Sequence, residues 1–277
     1  MRKIIVTIDF SKYADYALKA AAILAKSNDA QILALHMLEM SDSVLTTTDV
    51  EQHEKIHYFL RLAQKRFDDF LDKPYLKGVD VVPIVKHFKV FSEVNQVAED
   101  HSADMIVMGS HGASGFSEYF VGSNTERVIR HSTIPVLVIK SEPKNLDFKN
   151  VIFASDFKDE AIKSYINAMN LIKEFKAEVH LLHVNVPGEN FMSTTELEEQ
   201  VSGFLQKADG NLNRLDRVRY VADISVERGI LNYAKKINAD MIVMPTHGRK
   251  GLSHIFEGSI SEDLANHADY PVMTFKI

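Results

Sequence analysis

The chain repeats itself, and a repeat of this length dictates two copies of one folding unit. Residues 103–112 read ADMIVMGSHG and residues 239–248 read ADMIVMPTHG. Further on, HSTIPV at 131–136 matches HADYPV at 267–272. Near the start of each copy, IIVTIDF at 4–10 matches VIFASDF at 151–157, and His36 matches His183. The early matches lie 147 residues apart and the later ones 136, so the second copy lacks eleven residues from its middle. The boundary falls in the polar, proline-containing stretch 141–147, which reads as a linker. This gives domains at 1–140 and 150–277 joined by 141–149, each of ordinary domain size.

Within the first copy, short apolar runs alternate with helical patterns. Residues 4–8 form a nearly continuous apolar run, as expected of a strand buried on both faces. Ser11 is placed to cap a helix in which Ala14, Ala17, Leu18, Ala21, Leu24 and Ala25 recur at helical spacing. Strands are then expected at 32–35, 79–85, 105–108 and 135–139, with helices over 52–71, 94–101 and 125–130. Such alternation predicts an α/β fold: in each of two tandem copies, a five-stranded, mostly parallel sheet with right-handed crossovers and helices on both faces. Ligands in open sheets of this kind sit at the carboxyl ends of the strands.

Composition narrows the chemistry. With 45% hydrophobic and 25% charged residues the chain is globular in character. It has no cysteine, which excludes disulfides, thiolate metal sites and cysteine nucleophiles. A net charge of −6, spread along the chain, argues against nucleic acid as a partner. No apolar run is long enough to span a membrane, and residues 1–6 (MRKIIV) lead into a strand without a signal-like region. A cytoplasmic location is the expectation.

At the end of the fourth strand the chain reads Gly109-Ser110-His111-Gly112, and after nine residues Gly122-Ser123 precede a helix. Gly109 allows backbone to approach a ligand closely, and Gly112 permits the turn out of the strand. Gly122 and Ser123 offer free N–H groups at a helix N-terminus, where the dipole favours an anion. Asp9, at the end of the first strand, faces the same crevice and is suited to accept hydrogen bonds from a ribose. Neither the dinucleotide pattern G-x-G-x-x-G nor the P-loop is present, so vigorous NTPase chemistry lacks its usual lysine.

The pattern G-x-x-G-x9-G-[ST], the opening Ile8-Asp9-Phe10-Ser11, His36, and the segment STIPV before the last strand together resemble the universal stress protein family. The resemblance covers both copies. It implies a fold related to the adenine nucleotide α-hydrolase-like binders, with ATP as the ligand (ADP or AMP as variants, magnesium accompanying the nucleotide). It places Ile8, Met37 and Met108 around the adenine, Asp9 and Gly109 at the ribose, and Gly112, Gly122, Ser123 and Asn124 at the phosphates, with His111 in the same loop. It further implies pairing of the two copies through their last strands as an intramolecular pseudo-dimer, with at most a weak homodimer beyond it. In the second copy Pro245 replaces the first glycine, while Asp156, Gly248, Gly258 and Ser259 are retained. Weak or absent ATP binding is expected there, because proline fixes φ and fills space at the ribose position.

The function so implied is that of a nucleotide-dependent regulator in stress responses, whose bound state is read by an unidentified protein partner, with at most weak ATPase activity. Two alternatives stand beside it: a slow hydrolase or transferase acting on an adenine nucleotide with Asp9 and His111 near the phosphates, and a scaffold that binds no nucleotide. Plainer readings also exist for single residues. The glycines serve turn geometry, Ser123 is a helix cap, Asp9 caps the first helix with Ser11, and His111 and His247 brace a turn. Met37 and Met108 are core, and His36 and His183 are structural. His53 and His57, one helical turn apart, have metal-binding spacing but lie on a polar helix face with no third ligand.

Overall fold

The computed structural model describes residues 1–38, 49–87, 92–110, 123–143, 148–188, 191–246 and 268–277. Ile4, Ile5 and Val6 are fully buried at the centre of strand β1 (Lys3–Thr7), as a strand covered on both faces requires. Its amino end is tied down by Asp104, whose Oδ2 accepts hydrogen bonds from the backbone N–H of Arg2 and of Lys3, the latter at 3.0 Å. The aspartate of the repeated ADMIVM segment thus fixes the start of the neighbouring strand. Asp240 repeats the device, accepting from the backbone of Lys149 at 2.9 Å and Asn150 at 2.8 Å.

The chain divides into two units, Met1–Val128 with Val138–Lys144, and Ile129–Leu137 with Asn145–Ile277. In the first copy of the repeat, β1 is followed by α1 (Lys12–Asn28), β2 (Gln31–Leu38), α2 (Asp49–Leu71), β3 (Val81–His87), α3 (Ser92–Asp100), β4 (Met105–Gly109), α4 (Ser123–His131) and β5 (Val136–Ile139). The strand order is β3-β2-β1-β4-β5. Strands β1, β2, β3 and β4 pair in parallel, with Ile5 opposite Leu33 and Ile106. The chain moves outward from β1 through β2 to β3, then returns to the other side of β1 at β4. Right-handed crossovers therefore send α1 and α2 to one face and α3 to the other, and the order reverses between β1 and β4.

The second unit contains β6 (Asn150–Ala154), α5 (Ile162–Glu174), β7 (Glu178–Asn185), α6 (Thr194–Asp209), β8 (Val218–Ala222), α7 (Val226–Ile237), β9 (Met241–Thr246) and β10 (Val272–Lys276). Its order, β10-β9-β6-β7-β8, is the same topology with parallel pairing throughout. Ile152, Leu182, Ile230, Ala234, Ile242 and Val272 form the heart of one buried layer. The α/β class and tandem arrangement expected from the sequence are both present.

The helices start and stop where local chemistry directs. Ser11 caps α1 by accepting from the Ala14 N–H at 3.2 Å. Ser193 and Glu196 form a reciprocal capping box at the start of α6, and Gly210 closes that helix in the left-handed region. Strand β3 begins two residues later than its apolar run and extends to His87, because its length follows β2, against which it is registered from Ile32–Val81 to Leu38–His87.

The repeat is carried into unusual backbone. Among the described residues, six that are not glycine have positive φ: Phe10 (64°), Asp29 (50°), Ser102 (53°), Phe157 (54°), Lys176 (54°) and Asn238 (50°). They fall into three pairs at the sequence offsets of the repeat. A bulky residue in this region is strained and persists only where its surroundings hold it. Phe10 packs its ring on His36, Phe67 and Phe70 with centroids 4.6, 5.3 and 5.5 Å away, and Phe157 packs on Phe204 at 5.4 Å and His183 at 6.4 Å.

Candidate functional site

The carboxyl ends of β1, β2 and β4 bring Ile8, Asp9, Met37, Met108 and Gly109 to one edge of the first unit's sheet. Ile8 and Met108 are buried, Asp9 and Met37 partly so. The Ile8 N–H donates to the Leu35 carbonyl at 2.7 Å, which carries the sheet pairing one residue past β1. Its own carbonyl lies 2.7 Å from His36 Nδ1. Burial lowers the His36 pKa, opposed by this hydrogen bond, so the ring is held neutral with its Nδ1–H donated to Ile8. His36 therefore braces the turn after β1, alongside the Phe10 ring. Asp9 then takes a local role, Oδ1 accepting from the Ser11 N–H at 3.0 Å in a turn that leads into α1. The second carboxylate oxygen is not engaged by that bond.

Gly109 is required by packing in its own right. A Cβ at this position would lie 2.7 Å from both the carbonyl carbon and the Cβ of Tyr13, and 2.8 Å from the Tyr13 carbonyl oxygen. The bare backbone of β4 lets the first turn of α1 dock directly on the strand end. Thr125 links the other side: its Oγ1 is buried and donates to the Gly109 carbonyl at 3.0 Å. That bond holds the first turn of α4, with the half-buried Asn124, against the end of β4. Sequence reasoning missed both Tyr13 and Thr125, whose roles arise only when α1 and α4 dock. Ser110 is fully buried, and its N–H donates to the Ile139 carbonyl at 3.1 Å. His111, Gly112, Gly122 and the side chains of Ser123 and His53 lie outside the described residues, as do His247, Gly248, Gly258 and Ser259.

The second unit differs at the corresponding place. Pro245 stands where Gly109 does, buried inside β9 opposite Phe275. Pairing of β9 with β6 ends at Val243, so the proline interrupts no ladder on that side. The helix start opposite it is also rebuilt. Lys158 replaces Ser11 and makes no side-chain cap, residues Asp159–Ala161 form a 3-10 turn, and α5 begins only at Ile162. Asp156 keeps the local turn, Oδ1 accepting from the Lys158 N–H at 3.2 Å, while Lys158 Nζ reaches Oδ2 at 3.2 Å. That carboxylate is consequently occupied by a cation from its own loop.

Electrostatics elsewhere are structural. Among the described residues no group of three or more histidine or acidic side chains could hold a metal ion, and no helix is long and apolar enough to cross a membrane. His57 is exposed on α2. A cleft of about 440 Å³ opens at the opposite, amino-terminal edge of the first sheet, lined by Arg2, Lys3, Lys26, Asp29 and Asp80 among others. Its lysines are already engaged, Lys3 Nζ with the His101 carbonyl at 3.1 Å and Lys26 Nζ with that of Tyr75 at 2.8 Å.

An open parallel sheet whose strand order reverses between β1 and β4, with an acidic residue on one side and a glycine-ended strand on the other, defines a doubly wound α/β fold with a crevice at that switch point. The universal stress protein family model matches residues 1–140 and again residues 147–276, and the chain belongs to that family in its tandem form. It is similar to a universal stress protein of Methanocaldococcus jannaschii, 28% identical over 153 residues, which are 50% of this chain and 94% of the relative. A second from the same organism is 29% identical over 150 residues, covering 52% of this chain and 84% of that protein. Each such relative corresponds to one copy of the repeat. The solved structure of a universal stress protein from Archaeoglobus fulgidus matches 99% of this chain and 98% of its own, with a TM-score of 0.66 at 21% identity, and shares the fold.

Proposed function

We propose that the first domain, residues 1–140, binds ATP and that the second, residues 150–277, does not, so that one nucleotide per chain sets the state of a stress-response regulator. The observation that carries this reading is the bond from Thr125 Oγ1 to the Gly109 carbonyl. It holds the first turn of α4 beside the end of β4, and the N-terminus of a helix carries a dipole and backbone N–H groups that favour phosphate, which supports this reading. Ile8, Met37 and Met108 supply the apolar surface for adenine, Asp9 and Gly109 the ribose contacts, and Gly112, Gly122, Ser123 and Asn124 the phosphate cradle, with His111 in the same loop. Magnesium would enter with the nucleotide, and ADP or AMP would occupy the same groups with fewer phosphate contacts. In the second domain, Pro245 and the Lys158–Asp156 pair oppose the same ligand.

Regulation follows if the nucleotide prefers one conformation and a protein partner reads it. Isothermal titration of ATP into the wild type and Gly122→Asp, followed by an assay of ADP release, tests the proposal. One ATP per chain, lost in the variant and not turned over, is the expected result. Two ATP per chain would overturn the assignment of Pro245, and rapid ADP release would make the protein an enzyme.

A further inference from the structure

The core-facing side of α2 is set by Ala63 and Phe67, both buried. At 3.6 residues per turn, Tyr58 lies about 180° around the helix from Phe67, and Leu62 about 40° from Tyr58. Both therefore point away from the core, and they are 63% and 40% exposed. Phe59 flanks them at 36%, its ring centroid 5.7 Å from that of Tyr58. A surface helix ordinarily turns one apolar stripe to the core and polar residues outward. This one is apolar on both sides. Single exposed apolar residues are ordinary, but several adjoining ones mark an interaction surface.

The repeat supplies a comparison. Phe204 of α6 meets Phe157 edge to face at 5.4 Å, as Phe67 of α2 meets Phe10 at 5.3 Å. Aligned on these phenylalanines, the half-buried Leu60 matches the buried Leu197, while Tyr58, Phe59 and Leu62 match Thr195, Glu196 and Glu199, all three exposed. The corresponding helix of the second unit thus stands with a polar outer face, so the fold does not require an apolar one.

Charge identifies the occupant. The chain as a whole is acidic, with a net charge of −6. Beside the patch the sign is reversed: Arg61 and Lys65 run along one side of the Tyr58–Leu62 ridge and Arg66 along the other, all exposed. None of the three is in an ion pair among the described residues. Asp68, which accepts from Gln64 at 3.3 Å, and Asp69 lie further along the helix. A second copy docked face to face would set these cations against themselves. A lipid surface takes a broad apolar face, whereas this ridge is one residue wide between cations. Side chains at i and i+4 form the ridge that interdigitates in helix–helix packing, and charges flanking such a seam set the choice of partner.

We infer that the outer face of α2 docks a negatively charged amphipathic helix of a partner protein. The partner's apolar stripe lies on Tyr58, Phe59 and Leu62, and its carboxylates meet Arg61, Lys65 and Arg66. Docking on this face goes beyond nucleotide binding and does not depend on it. Three apolar side chains and their cationic rim make a small interface, so the complex is transient.

The test is fluorescence anisotropy with the full chain, without nucleotide. The probes are a labelled, stapled helical peptide of leucine, alanine and glutamate, and its twin with lysine in place of glutamate. The wild type is expected to bind the acidic peptide with a Kd between about 1 μM and 1 mM, and the basic twin at least about tenfold more weakly. Tyr58→Thr with Leu62→Gln, neutral and polar as in the second unit, should weaken the acidic peptide by about tenfold or more while thermal unfolding stays that of the wild type. Lys65→Glu, outside the apolar patch, should weaken the acidic peptide and strengthen the basic one, and added salt should weaken the wild-type complex. No saturable binding, equal binding of the two peptides, or binding unchanged in both variants would overturn the inference. So would self-association in sedimentation, or flotation with phosphatidylglycerol vesicles, that the Tyr58 and Leu62 substitutions abolish, since the face would then belong to a second copy or to lipid.

Discussion

A Cβ on Gly109 would sit 2.7 Å from the Cβ of Tyr13, well inside any real carbon–carbon contact, so the end of β4 and the start of α1 meet backbone to backbone. Gly109→Ala must therefore displace α1 or strain β4, at a cost of about 1–3 kcal/mol. Urea denaturation without nucleotide measures it, which separates the packing role of this glycine from any ligand contact. Gly109→Pro should cost more, because the first unit retains the helical first turn capped by Ser11 that the second unit has exchanged for a 3-10 turn beside Pro245. An alanine variant as stable as the wild type would show that α1 can slide away freely.

Phe157 offers a test in which a side-chain effect and a backbone effect oppose each other. Its ring is buried and its φ is 54°, so the side chain stabilises while the backbone is strained. Phe157→Ala should lose about 3–5 kcal/mol by removing the ring. Phe157→Gly removes the same ring but relieves the left-handed conformation, worth about 1–2 kcal/mol. The glycine variant should therefore be the more stable of the two, the reverse of their usual order. Thermal or urea unfolding of both variants decides it.

A buried phenol in the second unit depends on a short polar network. Tyr165 is fully buried, and its hydroxyl donates to Asp209 Oδ2 at 2.9 Å. Arg214 Nη1 donates to Asp209 Oδ1 at 2.6 Å and to the Tyr165 oxygen at 3.3 Å. Burial and the carboxylate push the phenol pKa well above its ordinary value, so it remains a donor at all working pH. Asp209→Ala leaves that donor without an acceptor and should cost about 1–3 kcal/mol. Adding Tyr165→Phe should recover part of the loss, since the orphaned hydroxyl is then gone. A double-mutant cycle on unfolding free energies reads the coupling, and strict additivity would show that the network is not one unit.

Most of the architecture was legible because the chain is written twice. ADMIVM recurs, and each copy supplies a check on the other's strands. Even the left-handed residues Phe10 and Phe157 fall at matched positions. The site was legible in its residue types but not in their reasons. Gly109 looked like room for a ligand, and the neighbour it accommodates is Tyr13, a contact that exists only once α1 has docked. Thr125 carries no motif of its own, and its bond to Gly109 depends on tertiary placement of α4. Strand ends were least legible, as β3 shows, because their limits are set by the partner strand rather than by local pattern.

The strand-two histidines make stability depend on pH with a definite sign. Burial lowers the pKa of His36 and of His183 from the ordinary 6.5. His180 shifts the same way, again through burial. Between 6.5 and each lowered value the unfolded chain binds a proton that the folded chain does not. Stability therefore rises with pH across that window and is lost as the solution is acidified below about 6.5, at up to about 1.4 kcal/mol per pH unit for each histidine. Protonation leaves the Nδ1–H bond to Ile8 in place, so its cost comes from placing charge on a buried ring, which lies against Phe10 with centroids 4.6 Å apart. His36→Gln removes one titrating group, so unfolding free energies measured from pH 7.5 to 5 should fall less steeply than in the wild type. Identical slopes would mean that His36 titrates in the folded protein as it does in the unfolded chain.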